Sequence, residues 1–450
     1  MKTLVKSGFT RDRIDATSAL VQLALDKAKA SGASAAEASA LVAHGLSVAV
    51  RQGEIETVEH NEDNSISVTV YYGDKLGSAS TTDLEQAAVI KAVEAACAIA
   101  QHTAEDSCFG LADTGLLASE IPDLDLYEPN SITIEQAIDS AKACEQIALD
   151  SDSRITNSEG ASLSMQEGLD VYGNTNGFLH GLLRSRYSKS CSVIAQDASG
   201  MQRDYWYDTR RHFSDLESDA SIGQKTAHRT LRRLGATKLS TRQAPVIFEA
   251  PVASSLVSHF LSAISGGNLY RQSSFLLDHL GKAVFPEYLS IEELPHIPRA
   301  LASSPYDNEG VVTNERTLVQ AGVLQGYLLS SYTARKLGMQ TTGNAGGPHN
   351  VIMSHGESDL AGLLRSMDTG LLVTELIGYG INSVTGDYSR GAAGFWVERG
   401  EIQYPVDEIT IAGNLRTIYQ DIVSVGNDID TRGTIRCGSV LIGNMTIAGN

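Results

Sequence analysis

The hydrophobic pattern of this chain changes its period twice within the first hundred residues, and this limits the folds it can adopt. Residues 16–31 place apolar side chains three and four positions apart, which predicts an amphipathic helix. Apolar and polar residues then alternate over 46–51 and 65–72, which predicts β-strands. The helical period returns over 83–101. The first part is therefore predicted to run helix, strands, helix.

A second part repeats this order. A helical pattern covers residues 134–149, strand-like runs cover 161–165 and 192–195, and a closing helix is predicted over 219–234. The two parts share an order of elements but no evident residue repeat, so the pattern only suggests two related units.

The remaining segments predict two joints and a different C-terminal region. Residues 102–130 lose periodicity and are interpreted as a linker, and residues 236–244 as a second joint. After a strand and a predicted helix over 252–264, short strand-like runs alternate with glycine turns. The predicted fold class is α+β, with two N-terminal α/β units followed by a β-rich C-terminal domain. The predicted domains cover residues 1–105, 125–235 and 240–450.

The charge balance disfavours nucleic acid as a partner. The chain has 35 basic and 54 acidic residues, a net charge of -19, so most of its surface should repel phosphate backbones. The most basic run, 229–233, is interpreted as a solvated helix face near a domain boundary.

Targeting and cysteine patterns favour the cytoplasm. We find no apolar run of about 20 residues that would cross a bilayer and no signal-peptide pattern, so no membrane association is expected. The five cysteines are scattered and form no CxxC pair, which argues against a disulfide framework and against a cysteine-rich zinc module.

Local catalytic motifs are missing from the sequence. No two of the 11 histidines lie three, four or five residues apart, so no helical zinc site is predicted. There is no G-x-S-x-G elbow and no phosphate-binding loop of the G-x-x-x-x-G-K type. A site assembled from distant residues stays open.

Two glycine-rich polar loops, 341–349 and 386–394, are the remaining candidates. Glycines permit close backbone approach, so such loops could pair with an extended peptide, and Arg390 could hold a carboxylate. The alternative is that both loops are tight turns and that Arg390 forms a structural ion pair. The residue types alone leave both interpretations open.

Five glycine-bearing stretches carry a resemblance to a known family; they are 331–338, 342–347, 386–397, 408–415 and 435–442. Together they make the chain resemble, over nearly its whole length, the PmbA/TldE proteins. These are one half of the TldD/PmbA family, once called modulators of DNA gyrase.

The resemblance implies one subunit of a heteromeric metallopeptidase that degrades unfolded or modified peptides, including a peptide-antibiotic leader and an antitoxin. The TldD-type partner carries an HExxxH helix and a distal cysteine, and zinc is expected there. The corresponding helix here, 253–264, offers His259 and no acidic residue, and Cys437 stands at the cysteine position. The resemblance therefore implies no catalytic residue, no metal and no cofactor in this chain.

On this basis four residues are predicted to contact peptide substrate or the TldD-type partner: Asn344, His349, Tyr388 and Arg390. A homodimer of the isolated chain stays open. Two other hypotheses remain. One is a self-assembling binding protein that modulates DNA gyrase or a toxin–antitoxin pair without proteolysis. The other is a hydrolase whose site is assembled from distant residues.

Overall fold

A computed structural model of the protein describes residues 8–129 and 132–449. Three parts of the chain lie outside the described residues: 1–7 in the predicted first domain, 130–131 at the end of the predicted linker and within the predicted second domain, and 450 in the predicted third domain. The described part mixes helices with three β-sheets, which confirms the α+β class. Within it, no helix combines the length and the apolar character that crossing a membrane requires.

The N-terminal half runs helix, three strands, helix, and then repeats this order. The first unit consists of α1 (Arg11–Ala30), β1 (Ala35–Arg51), β2 (Glu54–Tyr72), β3 (Lys75–Thr81) and α2 (Gln86–His102). The second unit consists of α3 (Ile134–Asp150), β4 (Ile155–Asn174), β5 (Leu179–Asp197), β6 (Gly200–Arg210) and α4 (Asp219–Leu231). The predicted order is thus confirmed, but the strands extend far beyond the alternating runs.

All six strands of the two units form one antiparallel sheet in the order β3-β2-β1-β4-β5-β6. The units join where β1 pairs with β4, from Glu37 opposite Asn174 to Val50 opposite Ala161. The helices cover one face of this sheet and form a separate apolar core for each unit. The predicted domain boundaries stay a prediction, and the structure adds that the first two units share a sheet.

The segment 103–129, predicted as a linker, is docked along the C-terminal domain. It contains one 3-10 turn, Thr114–Leu116, and otherwise no regular element. The Arg335 guanidinium donates to the carbonyl of Gly110 at 3.0 Å, and the Ala118 N–H donates to the Gly310 carbonyl at 2.9 Å. The segment therefore ties the two halves together as well as connecting them.

The C-terminal region is rich in short strands, as predicted. Its helices are α5 (Ala250–Ala263), α6 (Gly266–Tyr270), α7 (Ser331–Lys336), α8 (Leu360–Met367) and α9 (Leu415–Gln420). Its strands are β7 (Arg242–Phe248), β8 (Ile291–Glu293), β9 (Arg316–Gln320), β10 (Val323–Leu324), β11 (Val351–Met353), β12 (Gly370–Ile377), β13 (Asp387–Glu398), β14 (Glu401–Asn414), β15 (Ile422–Val425), β16 (Ile435–Arg436) and β17 (Val440–Ala448).

The main C-terminal sheet has the order β14-β13-β12-β7-β17-β15, and β14 also pairs with β17. Five of its strands therefore close into a ring. A smaller sheet follows the order β10-β9-β8-β11-β16. Helix α5 buries Leu256 and Phe260 in the apolar core of this region and contacts β12 and β16.

The basic run 229–233 lies at the junction between the two halves, not on a solvated face. Arg229 pairs with Glu249 at 2.9 Å and with Asp204 at 3.4 Å, and Arg232 pairs with Glu249 at 3.3 Å. The predicted exposure of this helix face was therefore wrong. Acidic side chains distant in sequence neutralise these arginines, which helical spacing alone does not show.

Candidate functional site

A cleft lies between the N-terminal sheet and the C-terminal domain. Its largest part on the sheet side is a cavity of about 530 Å³. This cavity shares Tyr207 and Arg432 with a second cavity of about 260 Å³, and Thr434 with a third of about 530 Å³. The three cavities therefore adjoin one another around the segment 432–435, and together we call them the interdomain cleft.

The N-terminal wall of the cleft is the sheet face that the helices leave uncovered. Side chains alternate between the two faces of a strand, so Leu169 enters the helix-covered core while Gly168 and Asp170 line the cavity. By the same rule Arg184 and Arg186 of β5 share the cleft face. The wall is thus made by β1, β4, β5 and β6.

This wall carries a concentration of positive charge. Arg184, Arg186 and Arg211 all line the cavity, with Asp170 as a single carboxylate among its lining residues. Burial lowers the pKa of Arg211 to about 10, and the neighbouring charges of Arg184 and Arg186 contribute to that lowering. A guanidinium remains charged at neutral pH even so. The sheet side of the cleft can therefore attract anions.

The C-terminal wall is formed by α5 and the loop 344–348, and it carries small polar groups instead. Ser255, Ser258 and Ser262 recur at helical spacing and line the second and third cavities. The loop adds Gly346 and Gly347. Serine hydroxyls and glycine backbone can make hydrogen bonds to an extended chain without bringing charge.

His259 lies on the same helix, half-buried against Tyr388, with ring centroids 6.2 Å apart and an interplanar angle of 63°. Burial, together with the positive charge of Arg390, lowers the pKa of this imidazole to about 4. Its Nε2 atom is buried and has no hydrogen-bond partner among the described residues. The side chain is therefore a neutral imidazole at neutral pH.

Two of the predicted site residues, Tyr388 and Arg390, lie on β13 beside this histidine. Tyr388 is 1% exposed, its hydroxyl has no well-aligned hydrogen-bond partner among the described residues, and burial raises its pKa to about 12. Arg390 donates through Nε to the carbonyl of Gly378 at 3.0 Å and lines the second cavity. Arg390 forms no ion pair with any residue that the structure describes. The alternative interpretation, in which Arg390 belongs to a structural ion pair, therefore finds no acidic partner among those residues.

The other two predicted residues, Asn344 and His349, meet around a buried carboxylate. The Asn344 amide donates to Glu293 Oε1 at 2.7 Å, and the His349 N–H donates to the same atom at 2.8 Å. Arg316 completes the network by donating to Asn344 Oδ1 at 2.6 Å. Burial alone would raise the pKa of Glu293, but the hydrogen bonds from His349 and the nearby charges bring it below its ordinary value. Asn344 also lines the third cavity, whereas His349 does not.

The arginines of the N-terminal wall were missed by sequence reasoning. Arg184 and Arg186 stand two residues apart in a strand, and this spacing places both on one face. That signal was available once the strand was recognised. Arg211 joins them only through the pairing of β5 with β6, which the sequence does not reveal.

Metal-ligating side chains are dispersed in the described residues. Over 8–129 and 132–449, no three histidine, cysteine, aspartate or glutamate side chains form a group that could hold an ion. Cys437 is completely buried, and burial, with the charges of Asp430 and Asp428, raises its pKa to about 12. Its thiol is therefore protonated at neutral pH.

Comparison with known proteins finds models of one protein family along most of the chain. Three family models match in order: domain 1 of the PmbA/TldA metallopeptidases over residues 36–100, their central domain over 127–234 and their C-terminal domain over 241–449. A crystal structure of a candidate modulator of DNA gyrase from Bacteroides thetaiotaomicron matches with a TM-score of 0.91 and 29% identity, covering 98% of this chain and 100% of that one.

The curated relatives distinguish two branches. The chain is 51% identical over 405 residues to Metalloprotease PmbA of Escherichia coli O157:H7, covering 90% of each chain. It is 51% identical over 431 residues to the Metalloprotease PmbA homolog of Haemophilus influenzae, covering 96% of this chain and 95% of that one. The Metalloprotease TldD homolog of the same organism is 22% identical over 402 residues, covering 84% and 82%. With all three domains matched and half of its residues shared with PmbA proteins, the chain belongs to the PmbA/TldD family of metallopeptidases.

Proposed function

We propose that this chain is the PmbA/TldE-type subunit of a cytoplasmic metallopeptidase, and that it binds unfolded or modified peptides for cleavage at the zinc site of a TldD-type partner. The composition of α5 is the observation that carries this proposal. A catalytic zinc needs three protein ligands and a general base beside its bound water. Helix α5 supplies one imidazole, His259, among serines.

The surroundings of His259 also oppose a cation. Arg390 is close enough to lower the pKa of the imidazole, so a second positive charge there would be repelled. Cys437, the residue at the implied cysteine position, holds its proton in an apolar core instead of offering a thiolate. The residues present therefore do not fit zinc, and we assign the metal to the partner.

The interdomain cleft supports a peptide-handling role. One wall offers hydroxyls and glycine backbone at helical and loop positions, and the other offers guanidinium groups. In this role the chain binds and orients an extended peptide, while the partner's zinc supplies the Lewis acid. Haemophilus influenzae has both a PmbA homolog and a TldD homolog, which is consistent with two subunit types acting together.

The proposal is tested by purifying the chain alone and together with the TldD-type protein of the same organism. Zinc content and cleavage of an unfolded peptide are measured for each preparation. We expect zinc and cleavage only where the partner is present, and we expect His259→Gln to leave both unchanged in the mixture. Stoichiometric zinc together with cleavage by the isolated chain would overturn the proposal.

A co-purification experiment separates the proposal from the binding-protein hypothesis. We expect the tagged chain to retain the TldD-type protein through gel filtration, and light scattering then gives the mass of the complex and of the isolated chain. A stable complex with DNA gyrase and none with the TldD-type protein would favour modulation without proteolysis.

A further inference from the structure

We propose that Arg184, Arg186 and Arg211 form a carboxylate-binding subsite on the N-terminal wall, which holds the terminal carboxylate or an acidic side chain of a bound peptide. This inference rests on the proposed peptide-binding function. It assigns the anionic end of the substrate to the sheet and the remaining backbone to α5.

The fold builds a recess with basic side chains at its edge. Arg184 of β5 stands opposite Gly168 of β4, and Arg186 stands opposite Gln166. The small residues Gly168 and Ala43 leave room on this face of the sheet, and a cavity of about 530 Å³ forms there. A carboxylate with several residues of peptide fits such a volume.

Several donors in this recess have no acceptor. The Arg186 side chain is exposed, and its guanidinium makes no hydrogen bond or ion pair with the described residues. Arg184 donates through one Nη atom to Ser304 at 3.0 Å, and its other Nη atom lies 3.9 Å from Asp170. Its Nε atom is buried without a partner. The guanidinium groups of Arg184 and Arg186 therefore retain N–H donors for the oxygen atoms of a ligand.

Arg211 gives the second, independent observation. It is 8% exposed, and its two Nη atoms donate to the backbone carbonyls of Ser185 and Leu301. Those bonds fix the side chain in the wall of the cavity. Its Nε atom is also buried without a partner among the described residues. Because Arg211 lines the cavity and its charge is largely withheld from water, a negative group in the recess would stabilise it.

The peptide-binding role favours a carboxylate as the anion. Arg432 also lines the cavity, but it is already paired with Asp430 at 2.7 Å. This leaves the three wall arginines facing Asp170 alone, with an excess of positive charge. An unmodified peptide supplies negative charge only as carboxylates, and a carboxylate would pair with the guanidinium groups. Guanidinium groups also match the planar, two-oxygen shape of a carboxylate.

The position of the recess gives the subsite a role in orienting peptides. Thr434 lines both the recess and the third cavity, and the third cavity extends along Ser258 and Ser262 of α5. A peptide anchored by its carboxylate at the sheet would therefore run along the helix. The subsite would select peptides that carry a negative charge at one end.

The test uses the full chain and three fluorescent peptides of one neutral sequence. One has a free terminal carboxylate, one has a terminal amide, and one has the amide together with a single aspartate. Fluorescence anisotropy gives each dissociation constant. We expect at least one carboxylate-bearing peptide to bind about tenfold or more tightly than the neutral amide. The peptide with the higher affinity identifies whether the terminal or the side-chain carboxylate is read.

Variants connect this preference to the wall. We expect the double change Arg184→Gln with Arg186→Gln to reduce the preference to about twofold or less, because it removes two of the charge-assisted donors. The matched control is Arg203→Gln on β6, an exposed arginine paired with Glu159 outside the cleft, and it should preserve the preference. Arg211 is left intact because its guanidinium holds two backbone carbonyls. Circular dichroism confirms that each variant is folded.

The outcomes separate this inference from the proposed function. Equal affinity for all three peptides, or no binding by the wild-type chain at millimolar peptide, overturns the subsite while cleavage by the two-subunit complex can still be observed. Carboxylate preference without cleavage in the presence of the partner overturns the proposed function and leaves the subsite standing. Inorganic phosphate that competes better than acetate would show that the recess is a phosphate site and overturn the carboxylate assignment.

Discussion

The two walls of the interdomain cleft differ in the kind of group they present. The N-terminal wall presents guanidinium groups from neighbouring strands of a sheet, whereas α5 and the loop 344–348 of the C-terminal wall present serines and glycines, with Arg390 of β13 beside them. A sheet holds charges at fixed spacing, and a helix with a glycine loop offers hydrogen-bonding groups without charge. The difference suggests that charge recognition and backbone binding are assigned to separate parts of the fold.

The two walls can act on one peptide only if the two halves of the chain are held at a fixed separation. Glu249, directly before α5, pairs with Arg229 and Arg232 of the N-terminal half. Glu249 is 9% exposed, so these ion pairs are largely removed from water. Removing one partner of a buried pair leaves the opposite charge without compensation.

Glu249→Gln should therefore give the largest effect on stability. We expect the free energy of unfolding to fall by about 3–5 kcal/mol, measured by urea denaturation. The matched control is Glu94→Gln, which breaks the Lys27–Glu94 pair on the surface of the first unit, and there we expect a loss below about 1 kcal/mol. Equal, small losses would show that the junction does not fix the walls.

Asn344→Ala tests whether the C-terminal wall is rigid. Asn344 accepts from Arg316 and donates to Glu293, so the change removes one charge-assisted hydrogen bond from each of these two groups. We expect a loss of about 2–3 kcal/mol, measured by the same denaturation. Asn444→Ala, at an exposed position of β17, should change stability by less than about 0.5 kcal/mol. A loss at Asn344 no larger than this control would show a mobile loop.

His259 gives the C-terminal wall a pH dependence. Its pKa falls from an ordinary 6.5 to about 4 in the folded chain. As the pH decreases below 6.5, the unfolded chain binds a proton that the folded chain does not, so stability decreases towards pH 4 and this contribution levels off below it.

The measurement compares His259→Asn with the wild type by urea denaturation from neutral pH down to about pH 4. We expect the wild type to lose its advantage over the variant as the pH falls. Ser258→Asn, at an exposed position of the same helix, is the control; neither side chain titrates in this range, so it should show a constant difference. A constant difference for His259 as well would mean that its imidazole is protonated normally in the folded chain.

The sequence predicted the C-terminal wall better than the N-terminal wall, and the reason is physical. Helix 252–264 and its single histidine follow from local periodicity, and the structure places α5 within one or two residues of that range. The arginine cluster depends on strand pairing, because Arg211 reaches Arg184 only across β5 and β6. Local patterns do not specify which strands pair, so such a cluster is seen only in three dimensions.

The four predicted site residues illustrate the same limit. Two of them, Asn344 and Arg390, line the interdomain cleft, whose position the sequence did not indicate. The sequence could not show that His349 contacts Glu293, because 56 residues separate them. Their predicted contact with substrate or partner stays a prediction.

Tyr388→Phe should give the smallest effect and sharpens the description of the C-terminal wall. The Tyr388 hydroxyl has no well-aligned partner among the described residues, so its removal loses no good hydrogen bond and relieves a buried polar group. We expect a change within about 0.5 kcal/mol in the free energy of unfolding. The matched control is Tyr419→Phe, whose equally buried hydroxyl donates to the Leu256 carbonyl at 3.0 Å, and there we expect a loss of about 1 kcal/mol. If Tyr388→Phe costs as much as the control, its hydroxyl is bonded within the wall. If stability is unchanged but peptide affinity falls, the hydroxyl reaches the substrate and the C-terminal wall must open to bind it.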